Sequence, residues 1–360
     1  MTDQNIKRIG FCCKYLYPDQ TLSKKLLEEK ERPFNGRVTT KAWLERQSSS
    51  VAEAKLEEVI DHNINSFKHL IKYAGSLPEN LRMVRLGSDI LPFFTEATWK
   101  KHYTVDRLDR IRTRLFEVGD LARSLDVRLS MHPGQFTVLA SDRDEVVESS
   151  IEEFEYHTFV ATAMGYGKKF QDFKINVHIS GKRGPDGIKS VLKWLSPESR
   201  RMITIENEEM RWGLESTLEL EKEVALVLDV HHHFIHSNGE YIRPSDDRWK
   251  RVVDSWRGVR PAIHYSISRE DYLKDHCNKT LPDYQLLIQK GYKKAKLRAH
   301  SDYCWNQACN DWVLEFWDDS DIIVEAKCKN LASSQLYKQA LQKTCPTTHF
   351  PASAVQSLVL

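Results

Sequence analysis

Short apolar stretches rich in β-branched residues recur along the chain, and amphipathic stretches with helical spacing separate them. This alternation is typical of repeated strand-helix units around a parallel sheet. The predicted strands are residues 8–13, 83–87, 127–132, 174–179, 202–207, 226–231, 262–266 and 321–327. Eight strands are the number that closes a TIM barrel. The sequence therefore predicts an α/β fold, a single (β/α)₈ barrel domain.

The stretches between the strands favour helices that pack against the outside of the barrel. In residues 51–75 the apolar positions recur at helical spacing, and Gly75 is suited to the helix end. Similar helices are predicted over residues 105–126, 145–165 and 215–225.

Two stretches are too long for the connections of a minimal barrel. Residues 17–50 follow the first strand, and residues 267–320 separate the last two strands. Because barrels bind ligands with the loops after their strands, we expect these long loops to hold a large substrate. We place the barrel domain at residues 1–332. Residues 333–360 are predicted to be a tail that starts as a helix and then frays.

Charge and composition narrow the function only slightly. The 53 Lys and Arg residues against 51 Asp and Glu residues give a net charge of +2, which does not by itself indicate a nucleic-acid-binding protein. No segment has the roughly 20 apolar residues needed to cross a membrane, and the N-terminus lacks the apolar core of a secretory signal. We expect a cytoplasmic protein without membrane association. The 7 Cys residues show no CxxC spacing, which disfavours a thiolate zinc site.

Side chains that can bind metal end six consecutive predicted strands. They are His132, His178, Glu206, Asp229 with His232, His264, and Glu325. The carboxyl ends of parallel barrel strands open into one mouth, so we expect these side chains to converge. Each histidine taken alone could instead cap a strand. So many ionisable groups in one mouth would be costly without cations, and imidazole and carboxylate donors suit Mn²⁺, Zn²⁺ or Fe²⁺.

The segment of residues 229–240 contains four histidines and allows a second interpretation, a chelating tract on the surface. The strand-like residues before Asp229 argue against it, because they place Asp229 at a strand end. We predict Asp229 and His232 as ligands. His231, His233 and His236 are expected behind the ligands or on the surface.

Motifs spread over residues 8–332 resemble those of the UV damage endonucleases, a family of DNA repair enzymes. The most specific motif is SMHPGQFTVLAS at residues 130–141. The others are VHISGK (177–182), ITIENEE (203–209), LDVHHH (228–233), IHYS (263–266), AHSDY (299–303) and DIIVEAK (321–327). The resemblance implies a hydrolase that nicks DNA immediately 5′ of UV photoproducts, with other lesions as further substrates. It implies double-stranded DNA as the partner. We expect a monomer, since nothing in the sequence indicates an obligate protein partner, and association with the nucleoid if the protein is bacterial.

The same resemblance implies the ligands of a metal cluster. On the matching positions they are His132, His178, Glu206, Asp229, His232, His264, His300 and Glu325. Two or three Mn²⁺ ions are implied, with Zn²⁺, Mg²⁺ or Co²⁺ as alternatives. Glu206, Asp229 and Glu325 are the predicted catalytic carboxylates, and Glu206 is the candidate for bridging two ions. Clustered cations neutralise a phosphodiester and activate a bound water.

Residues that contact DNA also follow from the resemblance. Gln135 and Phe136 match a pair that enters the duplex at the lesion, where an aromatic ring fills the gap beside a poorly stacked base. A plain turn is the alternative for this Pro-Gly sequence. Phe11 and Tyr15 are candidates for the lesion pocket. The candidates for phosphate contacts are Arg85, Lys182, Arg183 and Lys327.

Two positions depart from the family pattern. Glu96 stands where relatives place a histidine ligand, and Ala262 stands where a lysine is usual. Glu96 can still bind a hard cation, so we predict it as a further ligand, whereas Ala262 cannot replace a lysine. We therefore expect an altered metal preference or occupancy. Two alternative functions stay open: a metal-dependent sugar isomerase or epimerase on the same barrel, and a lesion-binding protein that does not cut.

Overall fold

The computed structural model describes residues 6–273 and 275–344. Within them one sheet contains β1 Ile9–Cys12, β2 Met83–Leu86, β3 Arg128–Met131, β4 Lys174–His178, β5 Ile203–Glu206, β6 Ala225–Val227, β7 Ala262–Tyr265 and β8 Asp321–Val324. Neighbouring strands pair in parallel, in the order β6-β5-β4-β3-β2-β1-β8-β7. A parallel bridge between Asp229, after β6, and His264 on β7 joins the two ends of this order. The predicted TIM barrel is confirmed.

Helices surround this barrel and fill its long loops. Their bounds are α1 Lys24–Glu31, α2 Lys41–Leu44, α3 Ser49–Ser76, α4 Val105–Ser124, α5 Asp144–Ala163, α6 Gly184–Val191, α7 Pro197–Met202, α8 Leu214–Leu218, α9 Val230–His236, α10 Asp247–Ser255, α11 Tyr284–Gln289, α12 Lys294–Leu297, α13 Gln307–Val313 and α14 Lys329–Thr344. The predicted long loops contain α1 and α2 after β1, and α11 to α13 after β7. Among the described helices, none combines the length and apolar character that a membrane crossing requires.

Two elements differ from their predicted bounds in ways that matter. Strand β6 ends at Val227, and Asp229 accepts a 2.7 Å hydrogen bond from the backbone N–H of His232, so that α9 begins where the predicted strand 226–231 was expected to continue. A side-chain acceptor at this position is a common helix start. Helix α8 ends at Leu218, short of the predicted residue 225, and turns lead from it to β6.

The predicted boundary between the domain and the tail falls inside a helix. Helix α14 begins at Lys329 and crosses residue 332 without interruption. Beyond that residue it still packs against the main core, because Leu336, Tyr337 and Ala340 are buried there. The stretch predicted to fray, residues 345–360, lies outside the described residues.

Successive residues of each strand alternate between the barrel interior and the surrounding helices. On β4, Ile175 and Val177 belong to the core beneath the helices, whereas Lys174, Asn176 and His178 share the interior face. A small apolar cluster fills the rest of the interior. It consists of Cys12, Met83, Ala225, Val227, Trp256, Ala262 and Ile323. The interior therefore combines this apolar cluster with polar side chains such as Lys174 and Asn176.

A buried carboxylate closes the opposite, amino-terminal end of the barrel. Asp321, the first residue of β8, is fully buried. Its oxygens accept hydrogen bonds from the backbone N–H of Arg8 at 2.8 Å, from the Arg128 guanidinium at 2.6 Å, and from the Arg260 guanidinium at 2.8 Å. These contacts join β8 to the starts of β1, β3 and β7.

We expect Asp321→Ala to lower the free energy of unfolding by about 3–5 kcal/mol, because the change leaves two largely buried guanidinium groups without their shared carboxylate. Urea denaturation would measure this loss. Asp318→Ala is the matched control, since Asp318 is 78% exposed in its ion pair with Lys7 and such pairs contribute at most about 1 kcal/mol. An equal loss in both variants would contradict the prediction.

Candidate metal centre

Glu206, the last residue of β5, lies fully buried at the centre of the barrel mouth. Its Oε2 atom is 3.5 Å from Nε2 of His132 and 3.5 Å from Nε2 of His178. Its Oε1 atom is 3.1 Å from Nδ1 of His264 and 3.5 Å from Nδ1 of His232. The two oxygens of one carboxylate thus face two different sets of donors.

Two overlapping groups of side chains have the spacing of a metal site within the described residues. The first is His132, His178 and Glu206, and the second is Glu206, Asp229 and His264. In each group the donor atoms lie within 4.8 Å of one another. Because Glu206 belongs to both groups, the arrangement suits a carboxylate that bridges two ions.

The donor atoms of the second group also lack hydrogen-bond partners. Oε1 of Glu206, Oδ2 of Asp229 and Nδ1 of His264 are buried, and none makes a hydrogen bond of acceptable geometry. A buried polar atom left in this state costs about 1–3 kcal/mol. One cation would satisfy all of these atoms, and the donor set of imidazole and carboxylate matches a divalent transition metal. The residues present therefore fit the predicted ions.

Backbone carbonyl groups fix the rings of several histidines at the mouth. The Nδ1 atom of each donates to a carbonyl oxygen: His132 to Pro133 at 2.8 Å, His232 to Asn207 at 3.0 Å, and His300 to Glu325 at 3.0 Å. Since a carbonyl oxygen only accepts, Nδ1 carries a proton and Nε2 is the atom left for a metal. Proteins commonly orient histidine ligands in this way.

His264 is oriented in the opposite sense, by a lysine that was not predicted. Its Nε2 atom lies 2.8 Å from Nζ of Lys174, a buried residue of β4. Its Nδ1 atom faces Glu206 and lies 3.2 Å from Oε1 of Glu325. Burial lowers the pKa of Lys174 to about 7 and the pKa of His264 to about 4, because both side chains are far from water.

Burial and opposite charge compete at the other ionisable groups. At Glu206 burial would raise the pKa, but His264 and His178 outweigh it and hold the pKa well below its usual range. At Asp229 burial prevails over His232 and raises the pKa well above its usual range. Burial would lower the pKa of His232, but Asp229 and Glu206 raise it to about 9. Burial therefore makes Asp229 costly to ionise on its own, and a nearby cation would favour its charged form.

A guanidinium group holds Glu325 beside the second donor group. Glu325 follows β8, and its Oε1 atom accepts a hydrogen bond from Arg85 on β2. Arg85 was predicted to contact phosphate, but its side chain is only 14% exposed and is committed to this ion pair. The prediction for Arg85 is therefore corrected: it positions a carboxylate at the mouth.

Glu96 lies apart from both donor groups. Its Oε1 atom is 2.6 Å from Nζ of Lys41, and its Oε2 atom accepts from the backbone N–H groups of Thr98 and Trp99 at 2.9 Å and 3.1 Å. The hydrogen bonds from the side chains of Lys41 and Thr98 lower the pKa of Glu96 to about 2. The structure does not bring this predicted ligand to the cluster, because both of its oxygens are engaged elsewhere.

The histidine-rich segment is not a surface tract. His231, His232 and His233 are at most 6% exposed, and they lie on α9. The His231 ring packs 5.8 Å from the ring of His300, and Nε2 of His233 is 2.9 Å from Oε2 of Glu240. The alternative of a chelating tract is wrong for these residues.

The predicted lesion-contacting residues divide into an exposed pair and a buried pair. Phe136 is 85% exposed, and Gln135 beside it is also exposed, in the loop after β3. Phe11 is 1% exposed and packs against Tyr73 in the core. Tyr15 is 7% exposed, with ring centroids 4.3 Å from Phe34 and 4.7 Å from Tyr73. The structure buries both predicted pocket residues in the core, so neither Phe11 nor Tyr15 presents its ring on an open surface.

A cleft of about 750 Å³ lies beside the exposed pair. Its walls come from the loops after β1, β2 and β3, from helices α3 and α5, and from residues 34–38 of the long loop after β1. The residues that line it include Phe34, Val38, Asn63, Asp89, Phe136 and Glu153. This volume lies within the range of pockets that bury a small ligand, roughly 300–1,000 Å³.

The remaining basic candidates are exposed and paired with acidic residues. Nζ of Lys182 is 2.6 Å from Asp142, and Nζ of Lys327 is 3.7 Å from Asp302. Arg183 pairs in the same way with Asp144, at 2.7 Å.

Sequence reasoning missed the polar residues that lie beneath the ligands. Thr204 donates a 2.7 Å hydrogen bond to Oδ1 of Asn176, and the Asn176 amide donates to Oε2 of Glu206. The signal was available, since Lys174 and Asn176 precede His178 at alternate positions of β4 and must share its face. Asn207 was also missed. Its side chain accepts from the backbone N–H of Asp229 at 2.9 Å and donates to the Asp229 carbonyl at 3.0 Å.

A parallel (β/α)₈ barrel with overlapping groups of His and carboxylate donors at its mouth has the architecture of a metal-dependent barrel enzyme. The chain belongs to the UV-endonuclease UvdE family, whose family model matches residues 15–356.

Individual relatives agree with this assignment. The chain is 30% identical over 346 residues to the UV-damage endonuclease of Schizosaccharomyces pombe (strain 972), covering 92% of this chain and 50% of that protein. It is 24% identical over 317 residues to the UV DNA damage endonuclease of Bacillus velezensis, covering 84% of this chain and 88% of that protein. The fold is similar to the crystal structure of SacUVDE, with a TM-score of 0.68, 23% identity, and coverage of 95% of this chain and 100% of that chain. The chain thus spans half the length of the S. pombe relative.

We expect Glu206→Gln to abolish tight binding of metal, because the amide cannot supply an anionic oxygen to both donor groups. The readout is the metal content of purified, dialysed protein by elemental analysis. Glu96→Gln is the matched control and is expected to keep the wild-type content, since Lys41 and the backbone already engage the Glu96 carboxylate. A loss of metal in Glu96→Gln, or full retention in Glu206→Gln, would contradict this assignment.

Proposed function

We propose that the chain is a DNA repair endonuclease that hydrolyses the phosphodiester bond 5′ of UV photoproducts in duplex DNA, with a cluster of divalent ions at the barrel mouth. The observation that carries the proposal is the Glu206 carboxylate, shared between two donor groups in a member of the UV-endonuclease family. Mn²⁺ is the proposed ion, with Zn²⁺, Mg²⁺ and Co²⁺ as alternatives. When bound, such ions neutralise the phosphodiester, activate water and stabilise the leaving oxygen.

The residues of the mouth divide the work of holding and orienting the ions. His132, His178 and Glu206 would hold one ion, and Glu206, Asp229 and His264 would hold the other. His232 and His300 each use Nδ1 for a carbonyl oxygen, which leaves Nε2 available, and they are proposed as further ligands. Glu206 and Asp229, with Glu325 held by Arg85, are the proposed catalytic carboxylates.

We propose two ions rather than three for this chain. The third ion implied by the family resemblance would need replacements at the two positions that depart from the family pattern. Glu96 is engaged by Lys41 and by backbone N–H groups, and Ala262 is a buried methyl group inside the barrel. In addition, the Arg85 guanidinium places a positive charge against Glu325. The guanidinium would repel a third cation placed directly beside it.

Gln135 and Phe136 are proposed to enter the duplex at the lesion. Phe136 is exposed, so its ring contributes little to the stability of the fold. Such a ring can fill the space left by a displaced base. The adjacent cleft would receive the displaced photoproduct, whose weak stacking lowers the cost of taking it out of the helix. Asn63, Asp89 and Glu153 supply polar groups to that cleft.

Basic side chains around the mouth are proposed to contact the DNA backbone. The ion pairs of Lys182 with Asp142 and of Lys327 with Asp302 are exposed, so exchanging the carboxylate for a phosphate costs little. The long loop after β7 adds five basic residues and no acidic residue over residues 290–298. Together these groups would give an affinity that falls steeply with salt.

We expect the purified protein to nick a duplex with one defined photoproduct immediately 5′ of the lesion, and to do so only in the presence of a divalent ion. His132→Ala is expected to lower the rate at least ~100-fold, because it removes a donor from one of the two groups. Gel analysis of an end-labelled duplex with Mn²⁺ or with EDTA measures both effects.

Equal cleavage of undamaged DNA would contradict the repair assignment. Tight binding without scission would support the lesion-binding alternative, and turnover of sugar phosphates would support the isomerase alternative.

We expect Phe136→Ala to lower nicking of the damaged duplex at least ~10-fold, because the ring is proposed to contact the duplex. The metal content is expected to stay unchanged, because a phenylalanine ring supplies no atom that binds a metal. The measurement is the ratio of cleavage rates on damaged and undamaged duplexes, alongside elemental analysis. Phe116→Ala is the matched control, since Phe116 is 54% exposed on α4 and has no proposed contact with DNA. An equal decline in both variants would show that Phe136 has no special role.

A further inference from the structure

We infer that Glu153 is a specificity-determining residue of the cleft beside Phe136: one oxygen of its carboxylate accepts a hydrogen bond from a ring N–H of the displaced base. The inference rests on the proposed function and deepens it, because it names the chemical group that the cleft recognises. A lesion that keeps a base with such a donor gains this contact, and a lesion without a base does not.

The protein engages one oxygen of Glu153 and leaves the other open. Glu153 lies on α5 and lines the cleft, with its side chain 32% exposed. Its Oε2 atom accepts a 3.1 Å hydrogen bond from the hydroxyl group of Thr95, in the loop after β2. Its Oε1 atom lies 3.7 Å from Nδ1 of His157, but that nitrogen donates its proton to the Glu153 carbonyl at 2.8 Å. Among the described residues, Oε1 therefore has no hydrogen-bond donor.

Many of the donors that line the cleft are used within the protein. The side-chain amide of Asn63 donates to the carbonyl groups of Arg37 and Asp89, at 3.0 Å and 2.9 Å. Four hydroxyl groups of the wall also donate to backbone carbonyl groups, those of Ser66, Ser88, Ser149 and Ser150. The exposed carboxylate of Asp89 adds further acceptor atoms. A ligand that matches this cleft must therefore bring donors.

The charge of the cleft favours a base over a phosphate. Glu153 and Asp89 are accompanied by one basic residue, Lys14, among the described residues that line it. The two carboxylates repel a phosphate but not a neutral base. The basic side chains proposed to contact the DNA backbone follow β4, β7 and β8, whereas the cleft is walled by the loops after β1, β2 and β3. The base and the backbone are thus directed to different parts of the surface.

The cleft shares a loop with the first donor group of the metal centre. His132 begins the loop after β3, and the same loop contributes Gly134, Phe136 and Thr137 to the cleft wall. Ser88, also in the wall, donates a 2.7 Å hydrogen bond to the His132 carbonyl. A base held by Glu153 would therefore lie beside the loop that supplies a proposed metal ligand.

A thymine photoproduct carries the donor that this cleft lacks. Each ring of a cyclobutane thymine dimer keeps an N–H group at N3, and this group loses its partner when the lesion leaves the duplex. An N–H that enters a cleft without an acceptor is costly, and a carboxylate is a stronger acceptor than a neutral group. An abasic site has no ring and gains nothing from Glu153.

A structural role is the competing explanation, because the hydrogen bond from Thr95 joins the loop after β2 to α5. That role uses Oε2 and would affect the binding of every duplex equally. Recognition uses Oε1 and affects only lesions that carry a base. The two explanations therefore differ in how the choice of lesion changes the effect of a substitution at Glu153.

The test is the affinity of the metal-loaded full chain for labelled duplexes whose linkage 5′ of the lesion resists hydrolysis, measured by fluorescence anisotropy. One duplex carries a cyclobutane thymine dimer, and the other carries an abasic analogue. We expect Glu153→Met, which keeps the side-chain length without an acceptor, to weaken binding of the dimer duplex at least ~10-fold and to leave binding of the abasic duplex unchanged. Glu152→Met is the matched control and is expected to change neither affinity, because Glu152 is 43% exposed beside Lys100 and is not among the described residues that line the cleft.

A change in the ligand removes any dependence on the folding of a variant. A dimer of N3-methylthymine lacks the ring N–H, and we expect the wild type to bind it as weakly as Glu153→Met binds the unmodified dimer. Equal weakening of the dimer and abasic duplexes in Glu153→Met would overturn the inference, and so would an undiminished affinity of the wild type for the methylated dimer. A wild type that binds damaged and undamaged duplexes equally would instead refute the proposed function.

Discussion

The carboxylate of Glu206 is fully buried, and the arrangement of the other side chains at the barrel mouth depends on this burial. A charge without access to water is expensive, and only close opposite charge or metal can offset that cost. Here the offset comes from every side: histidines from β3, β4 and β7 approach the two oxygens, and Asn176 donates from below. These contacts require the strand ends to converge, so the site can form only when the barrel is closed.

The residues that position the candidate ligands make hydrogen bonds as well defined as those of the candidate ligands themselves. Asn207 fixes the backbone of Asp229 from both sides, and the Asp229 side chain in turn begins α9. This turn at residue 229 places His232 on the first turn of a helix rather than on a strand. A side chain on the first turn of a helix approaches the mouth from a different direction than a side chain on a strand. Asp229 and His232 can therefore both lie at the mouth although they are close in sequence.

Periodicity in the sequence was sufficient to predict the barrel and to bring most of the candidate metal-binding side chains to its mouth. Alternation of apolar residues placed all eight strands, and the shared direction of their ends brought His132, His178 and Glu206 together. Periodicity could not show which partner each charged side chain binds in the folded protein. Arg85 looked free for phosphate until Glu325 was seen beside it, and Glu96 looked like a ligand until Lys41 was seen to bind it. Which ion pair forms is a property of three-dimensional neighbours that no spacing encodes.

The same limit applies to the aromatic residues near β1, whose burial the sequence did not reveal, whereas Phe136 after β3 is exposed. A strand residue such as Phe11 faces either the interior or the helices, and here alternation puts Cys12 inside and Phe11 under α3 with Tyr73. A loop residue such as Phe136 has no such alternation to obey, and its exposure reflects the absence of a neighbouring element to cover it. Single exposed apolar side chains are common on proteins, so the exposure of Phe136 alone assigns it no partner. The proposed role depends instead on its position beside the cleft, where a displaced base would have room.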